Sequence, residues 1–163
     1  MTHTRPKSGR CAHRKYNLNC DEFDELVADY DARCALCAIT GPEAPHGFLV
    51  IDHDFRYGDW AIRGLLCSRC NSTIDAVGHV RTPKEEAYLA DPWWRRRFGR
   101  LGLPVELVPE PPVGTVVAIG CQQWERTGRG WEDFRCWPQS WRWLTVRHPP
   151  HEIRVIGERV ALM

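Results

Sequence analysis

The chain has 163 residues and a formal net charge of +1. That length can bury one ordinary core or two small ones. The near-neutral balance excludes a global electrostatic case for nucleic-acid binding, so any such case must be local. No apolar run reaches transmembrane length, and the polar, basic start MTHTRPKSGR does not read as a secretory signal, so no membrane association is expected.

Residues 1–15 hold Arg5, Lys7, Arg10, Arg14 and Lys15 and no acid, which predicts a basic arm. The arm either touches phosphate or is a solvated tail. Residues 20–33 form a predicted helix, because Phe23, Leu26, Val27 and Tyr30 recur at helical spacing. Asn19 and Glu22 resemble a capping box at its start. The helix delivers the chain to Cys34.

Two Cys-x-x-Cys pairs follow, Cys34/Cys37 and Cys67/Cys70. With no secretory signal, such pairs read as metal ligands in a reducing compartment, the cytoplasm, rather than as disulfides. Four cysteines so spaced can close a tetrahedral, structural Zn²⁺ site. Cys11, Cys20, Cys121 and Cys136 read as free thiols partly packed in cores. Cys11, His13 and Cys20 could assist a second metal, but their spacing is not that of a standard metal motif.

Between the pairs, residues 48–51 predict a strand, residues 56–59 a turn and residues 60–66 a returning strand. Asp52 and His53 close the first strand. Asn71 stands directly after Cys70, where a helix is expected over residues 71–77. Asp52 and Asn71 offer one carboxylate and one amide oxygen, a donor set suited to a hard ion such as Mg²⁺. His53 could act as general base in phosphodiester hydrolysis. It is adjacent to Asp52, so on a regular strand the two side chains point to opposite faces, and a bulge or strand end must turn His53 back. Asp54 either orients His53 or is a plain turn residue. Arg63 reads as a phosphate contact or as the polar face of a strand. His46 and His79 read as loop residues.

Residues 83–98 predict one more helix, with Pro83 in its first turn. Trp93, Trp94, Arg95, Arg96, Arg97, Phe98 and Arg100 form the strongest local basic patch. Aromatics interleaved with Arg can bind nucleic acid. The alternative is a helix with its aromatics packed inward. Four prolines in residues 104–112 predict a linker. Residues 113–119, 131–136, 141–146 and 153–156 predict strands. Five of the eight tryptophans lie between positions 124 and 143, which predicts the core of a small antiparallel β domain.

The segment from Tyr16 to Leu89 resembles the recombination endonuclease VII family, within the wider HNH, or ββα-metal, nucleases. The resemblance rests on Cys34-Ala-Leu-Cys37, on Leu49-Val-Ile-Asp52-His53-Asp54, on Arg63-Gly64-Leu-Leu-Cys67 and on Cys70-Asn71. It implies a zinc-stabilised HNH core, taken here as residues 16–103; with the linker (104–112) and the Trp-rich antiparallel β domain (113–163) read from the residue pattern, the expected fold class is α+β. It implies a metal-dependent DNA endonuclease: Asp52 and Asn71 hold Mg²⁺ or Mn²⁺, His53 is the general base, and Cys34, Cys37, Cys67 and Cys70 hold zinc. Asp31 sits where family members often carry a supporting acid. Position 55 is Phe where they often carry a second His. Arg95, Arg96, Arg97 and Arg100 are the candidate DNA contacts. The competing reading is a zinc-stabilised module that binds nucleic acid or protein without cleaving. The C-terminal β domain could dock a protein partner, and a homodimer would be needed to cut both strands.

Overall fold

The computed structural model describes residues 11–106, 109–133 and 137–158. The arm's first ten residues, Cys136 and the end of the strand expected over 131–136 lie outside them. The protein is mixed α/β with two antiparallel sheets.

A 3-10 turn, Ala12–Tyr16, leads into helix α1, Cys20–Asp29. The capping box forms as expected: the Asn19 side chain accepts from the Glu22 amide at 2.9 Å and Glu22 accepts from the Asn19 amide at 2.8 Å. The helix stops four residues short of its expected end, because Asp31 and Ala32 take left-handed backbone angles (φ 49° and 54°). That turn swings the chain into Cys34. The first knuckle closes through the Cys34 amide to the Ile39 carbonyl and the Ala38 amide to the Cys34 carbonyl, both 2.8 Å.

Strand β1, Val50–His53, pairs antiparallel with β2, Ile62–Leu66. Both begin two residues later than expected. Helix α2, Ser68–Ile74, starts inside the second knuckle with Cys67 as its N-cap, so Asn71 lies within the helix and not at its start. The helix packs on both strands. Leu66, Cys34, Cys67, Ala44 and Ile74 form the buried cluster there. A second cluster sets Leu18, Leu26, Ile62, Leu65 and Trp93 between α1 and the sheet. Gly64 is required by close approach: a Cβ there would lie 2.5 Å from the Tyr30 hydroxyl.

The single helix expected over 83–98 is two, α3, Pro83–Ala90, and α4, Trp93–Arg100. Pro92 breaks it, since proline donates no amide and disfavours helix at the residue before it. On α4, Trp93, Trp94 and Phe98 are buried. Trp94 and Phe98 join Trp60 and Ala61 in a third cluster, against which Leu103 and Val105 pack.

The second sheet has the strand order β5-β4-β3-β6, built from β3, Thr115–Ile119, β4, Gln122–Thr127, β5, Gly130–Glu132, and β6, Ile153–Glu158. The sequence reading did not foresee β4, whose polar run shows little apolar alternation. Residues 141–146, expected as a strand, are instead helix α5, Trp141–Thr145. Ser140 caps it, its hydroxyl accepting from the Trp143 amide at 3.1 Å, and this local cap overrides the β preference of Trp and Val. Val117, Ile119, Trp124, Trp131, Leu144 and Ile153 form the core of this part.

The two parts touch. The Trp60 indole donates to the Thr145 carbonyl at 2.9 Å, and Phe98 meets the His151 ring edge-on at 4.8 Å. Gly58 has φ 120°, and a Cβ there would lie 2.0 Å from the Val146 carbonyl oxygen. Among the described residues no helix is long and apolar enough to cross a membrane.

Candidate active site

The two knuckles bring one sulfur from each of Cys34, Cys37, Cys67 and Cys70 within 4.8 Å of one another. Tetrahedral Zn²⁺ with Zn–S near 2.3 Å requires sulfur–sulfur separations of about 3.8 Å. The Cys37 and Cys67 sulfurs are 3.7 Å apart. Burial raises the Cys34 thiol, but amide hydrogen bonds from Cys37, Cys67 and Leu36 outweigh it and lower the thiol to about 7. Burial and the neighbouring sulfurs push Cys70 up. A divalent cation at the centre of four such sulfurs relieves that crowding and stabilises thiolates. The group therefore fits zinc.

Strand β1 ends in Asp52 and His53 at an irregularity in the ladder. Asp52 pairs with Gly64 and His53 with Ile62, so Arg63 is left over on β2. That is the arrangement of a bulge, which bends the strand and breaks simple alternation of side chains. The carbonyl of the unpaired Arg63 accepts from the Tyr30 hydroxyl at 2.9 Å.

Asp52 is 3% exposed. Arg63 grips its carboxylate with two hydrogen bonds, Nη2 to Oδ1 at 2.7 Å and Nε to Oδ2 at 2.8 Å. The Tyr88 hydroxyl adds a third, to Oδ2, at 2.8 Å. Burial, the Asp52 charge and this hydrogen bond all push the Tyr88 phenol up, so it stays a donor. Arg63, itself 4% exposed, also reaches Asp75 at 2.5 Å. Burial opposes its charge, but the hydrogen bonds to Asp75 and Asp52 prevail and raise it further. The guanidinium thus faces inward to carboxylates.

His53 has a different partner. Its Nε2 lies 3.2 Å from Asp59 Oδ1, and its ring meets Tyr16 edge-on at 5.3 Å. Asp59 was missed in the sequence, because it reaches His53 from the far side of the turn between the strands. Asp54 does not contact His53. Its carboxylate takes Arg56 Nε at 2.9 Å, Arg56 Nη2 at 2.6 Å and the Arg56 amide at 3.0 Å, which is a turn-closing ion pair. Asn71 is half-buried on α2, and among the described residues its side-chain amide makes no hydrogen bond.

A carboxylate accepts about four hydrogen bonds or ligands, and Asp52 has used three. One lone pair on Oδ1 and the Asn71 amide oxygen remain as donors. Mg²⁺ takes few protein ligands, all oxygen, and keeps several waters.

The other candidates lie apart. Asp31 is exposed in the left-handed turn before Cys34. His79 pairs with Glu85 at 3.1 Å, and His46 tilts against Phe48 in an exposed loop. Phe55 is 65% exposed. The arginines of α4 face the carboxylates of α1: Arg97 reaches Glu22 and Glu25, each at 3.0 Å, and Arg100 reaches Glu25 and Asp29, each at 2.8 Å. Arg96 binds the Tyr30 hydroxyl at 3.0 Å and Asp91 at 3.4 Å. Arg95 is exposed beside the Trp94 ring. Much of the patch's charge is thereby offset within the fold.

Neither a curated protein nor a solved structure matches the chain. The model of the recombination endonuclease VII family matches residues 9–90, a span that contains both knuckles, β1, β2 and α2. The chain therefore belongs to the recombination endonuclease VII family, and that membership implies a nuclease acting on DNA.

Proposed function

We propose that the protein is an HNH-type DNA endonuclease, stabilised by zinc and dependent on Mg²⁺ or Mn²⁺, that nicks one strand by general-base hydrolysis at His53. The observation that carries this reading is the bulge at the end of β1. There Asp52 and His53 each have a separate set of partners: Arg63 and Tyr88 on the carboxylate, Asp59 on the imidazole. Two adjacent residues are thus fixed independently, which supports different roles for them.

Asp52 and Asn71 are the residues that would hold the ion. When bound, it offsets phosphate charge and stabilises the leaving alkoxide. Arg63 and Tyr88 keep the Asp52 carboxylate in one orientation, as outer partners do for ligating carboxylates. Asp59 accepts the Nε2 hydrogen of His53, so Nδ1 is left as the basic nitrogen and takes the proton of the attacking water. Phe55 offers no proton, so the leaving oxygen takes one from solvent. Residues 16–103 are the nuclease unit in this reading, and residues 113–163 the β unit, whose described part packs against it. Cutting both strands requires two copies.

A second reading has one observation in its favour. Arg63 already neutralises Asp52, which suits a DNA-binding module that does not cleave. The two readings part on Asn71→Ala, assayed by nicking of supercoiled plasmid in a Mn²⁺ titration with zinc content checked. The nuclease reading expects wild type to nick and the variant to need at least about ten-fold more Mn²⁺. Wild type that binds plasmid without nicking it at any Mn²⁺ concentration would leave the binding module.

A further inference from the structure

A second group of metal-binding side chains lies at the other end of the family-matched segment. Cys11, His13 and Cys20 each bring a ligand atom within 4.8 Å of the other two, the same limit met by the four cysteines of the knuckles. The Cys11 and Cys20 sulfurs are 3.9 Å apart. That is close to the separation of about 3.8 Å that two thiolates take on one tetrahedral Zn²⁺. It is far from a disulfide bond of about 2.05 Å, and neither cysteine is in a disulfide.

Local structure explains how residues with no standard motif spacing meet. Cys11 is the N-cap of the 3-10 turn and His13 lies inside it. Asn17 ends the turn with a left-handed backbone, φ 58°, which reverses the chain toward α1. The Asn19 capping box then starts α1 with Cys20 as its first residue. His13 is 4% exposed, its ring stacked on Phe23 of α1 at 4.8 Å with 12° between the planes. The ring is therefore held in one orientation, and a fixed imidazole beside two thiols is a donor set suited to zinc.

We infer that Cys11, His13 and Cys20 bind a second Zn²⁺ ion, separate from the four-cysteine site, with the fourth position left to water or another donor. The inference does not rest on the nuclease reading. Its structural consequence reaches that site all the same. The chain clamped between Cys11 and Cys20 carries Tyr16, whose ring meets His53 at 5.3 Å. It also carries Asn17, whose amide donates to the Arg147 carbonyl at 3.2 Å. Zinc here ties the entry segment to α1 and so holds Tyr16 against the imidazole.

The test is the zinc content of the full chain, purified under reducing conditions from zinc-supplied cells and measured by elemental analysis against protein concentration. Wild type should hold two zinc ions per chain. Stepwise competition with a chromophoric chelator should release them in two phases, the three-ligand site first. His13→Ala should hold one ion, and the Co²⁺-substituted variant should keep the thiolate charge-transfer band of the four-cysteine site. One ion per chain in wild type, with Cys11 and Cys20 alkylated as fast as exposed Cys121, would overturn the inference. So would a Cys11–Cys20 disulfide in that preparation. Both results are read on wild type, so they stand even where a variant fails to fold.

Discussion

The two sheets of this protein are held by different means. Around β1 and β2 the fold buries Asp52, Asp54 and Arg63, and one of its hydrophobic clusters is built on Cys34 and Cys67. Around β3 the core is Val117, Ile119, Trp124, Trp131, Leu144 and Ile153, all apolar, with Asp133 the buried acid nearby in sequence. The first region combines apolar clusters with buried charges held in ion pairs, and its two cysteine knuckles close on each other. The second closes on tryptophan. Polar groups fixed by ion pairs and a cysteine cluster thus stand beside the apolar clusters of the first region, whereas the second relies on its apolar core.

The largest effect should come from breaking the knuckles. Cys67→Ser, or removal of zinc by a strong chelator, should abolish the fold around β1, β2 and α2. Structural zinc contributes folding energy on the order of 10 kcal/mol. Hydrogen exchange should show protection lost in β1 and β2 while β3 and β4 keep much of theirs. Equal loss in both sheets would mean that the regions fold as one unit, and an unchanged melting curve would remove zinc from the account.

Next in size is a pair of substitutions, one in each region. Arg63→Ala leaves the buried Asp52 charge unpaired and should destabilise by about 3–5 kcal/mol. Trp131→Ala removes a fully buried ring from the second core and should destabilise by about 3–5 kcal/mol as well. The costs are similar but the physical origins differ. Adding Asp52→Asn, which removes the stranded charge, should recover part of the Arg63→Ala penalty and none of the Trp131→Ala penalty. Denaturant melts of the single and double variants separate them, and equal stability of Arg63→Ala with and without Asp52→Asn would contradict the comparison.

The smallest effect concerns Asp54. Burial would raise its carboxyl, but hydrogen bonds from Arg56 outweigh burial and hold it below the ordinary carboxylate range. A depressed folded-state value stabilises above the unfolded value, near 4, and that stabilisation is lost as pH falls through the folded value. Arg56 is largely exposed, so solvent screens the pair and Asp54→Asn should cost only about 1 kcal/mol at neutral pH. The difference from wild type should shrink to nothing in acid. A gap that persists at low pH would point to lost packing instead.

Much of the first region could be read from local pattern. The Cys-x-x-Cys spacing, the Asn19/Glu22 capping box and the strand–turn–strand–helix order depend on neighbours in sequence, and each formed near its expected place. What could not be read depends on contacts across the fold. Asp59 reaches His53 only because the turn folds back. Arg63 turns inward because a bulge leaves it unpaired on β2. The arginines of α4 meet carboxylates because α4 packs beside α1. Helix α5 is the exception, since the cap that starts it, Ser140, is a neighbour in sequence.

His53 is the residue on which cleavage should depend most directly. Zinc-loaded wild type and His53→Ala should be compared for nicking of supercoiled plasmid at saturating Mn²⁺, with zinc content and melting temperature measured on the same samples. The expected result is nicking by wild type and a fall of about 10²–10⁴-fold in the variant, with zinc and melting unchanged. Equal rates from the two proteins would contradict the assignment of His53 as the base.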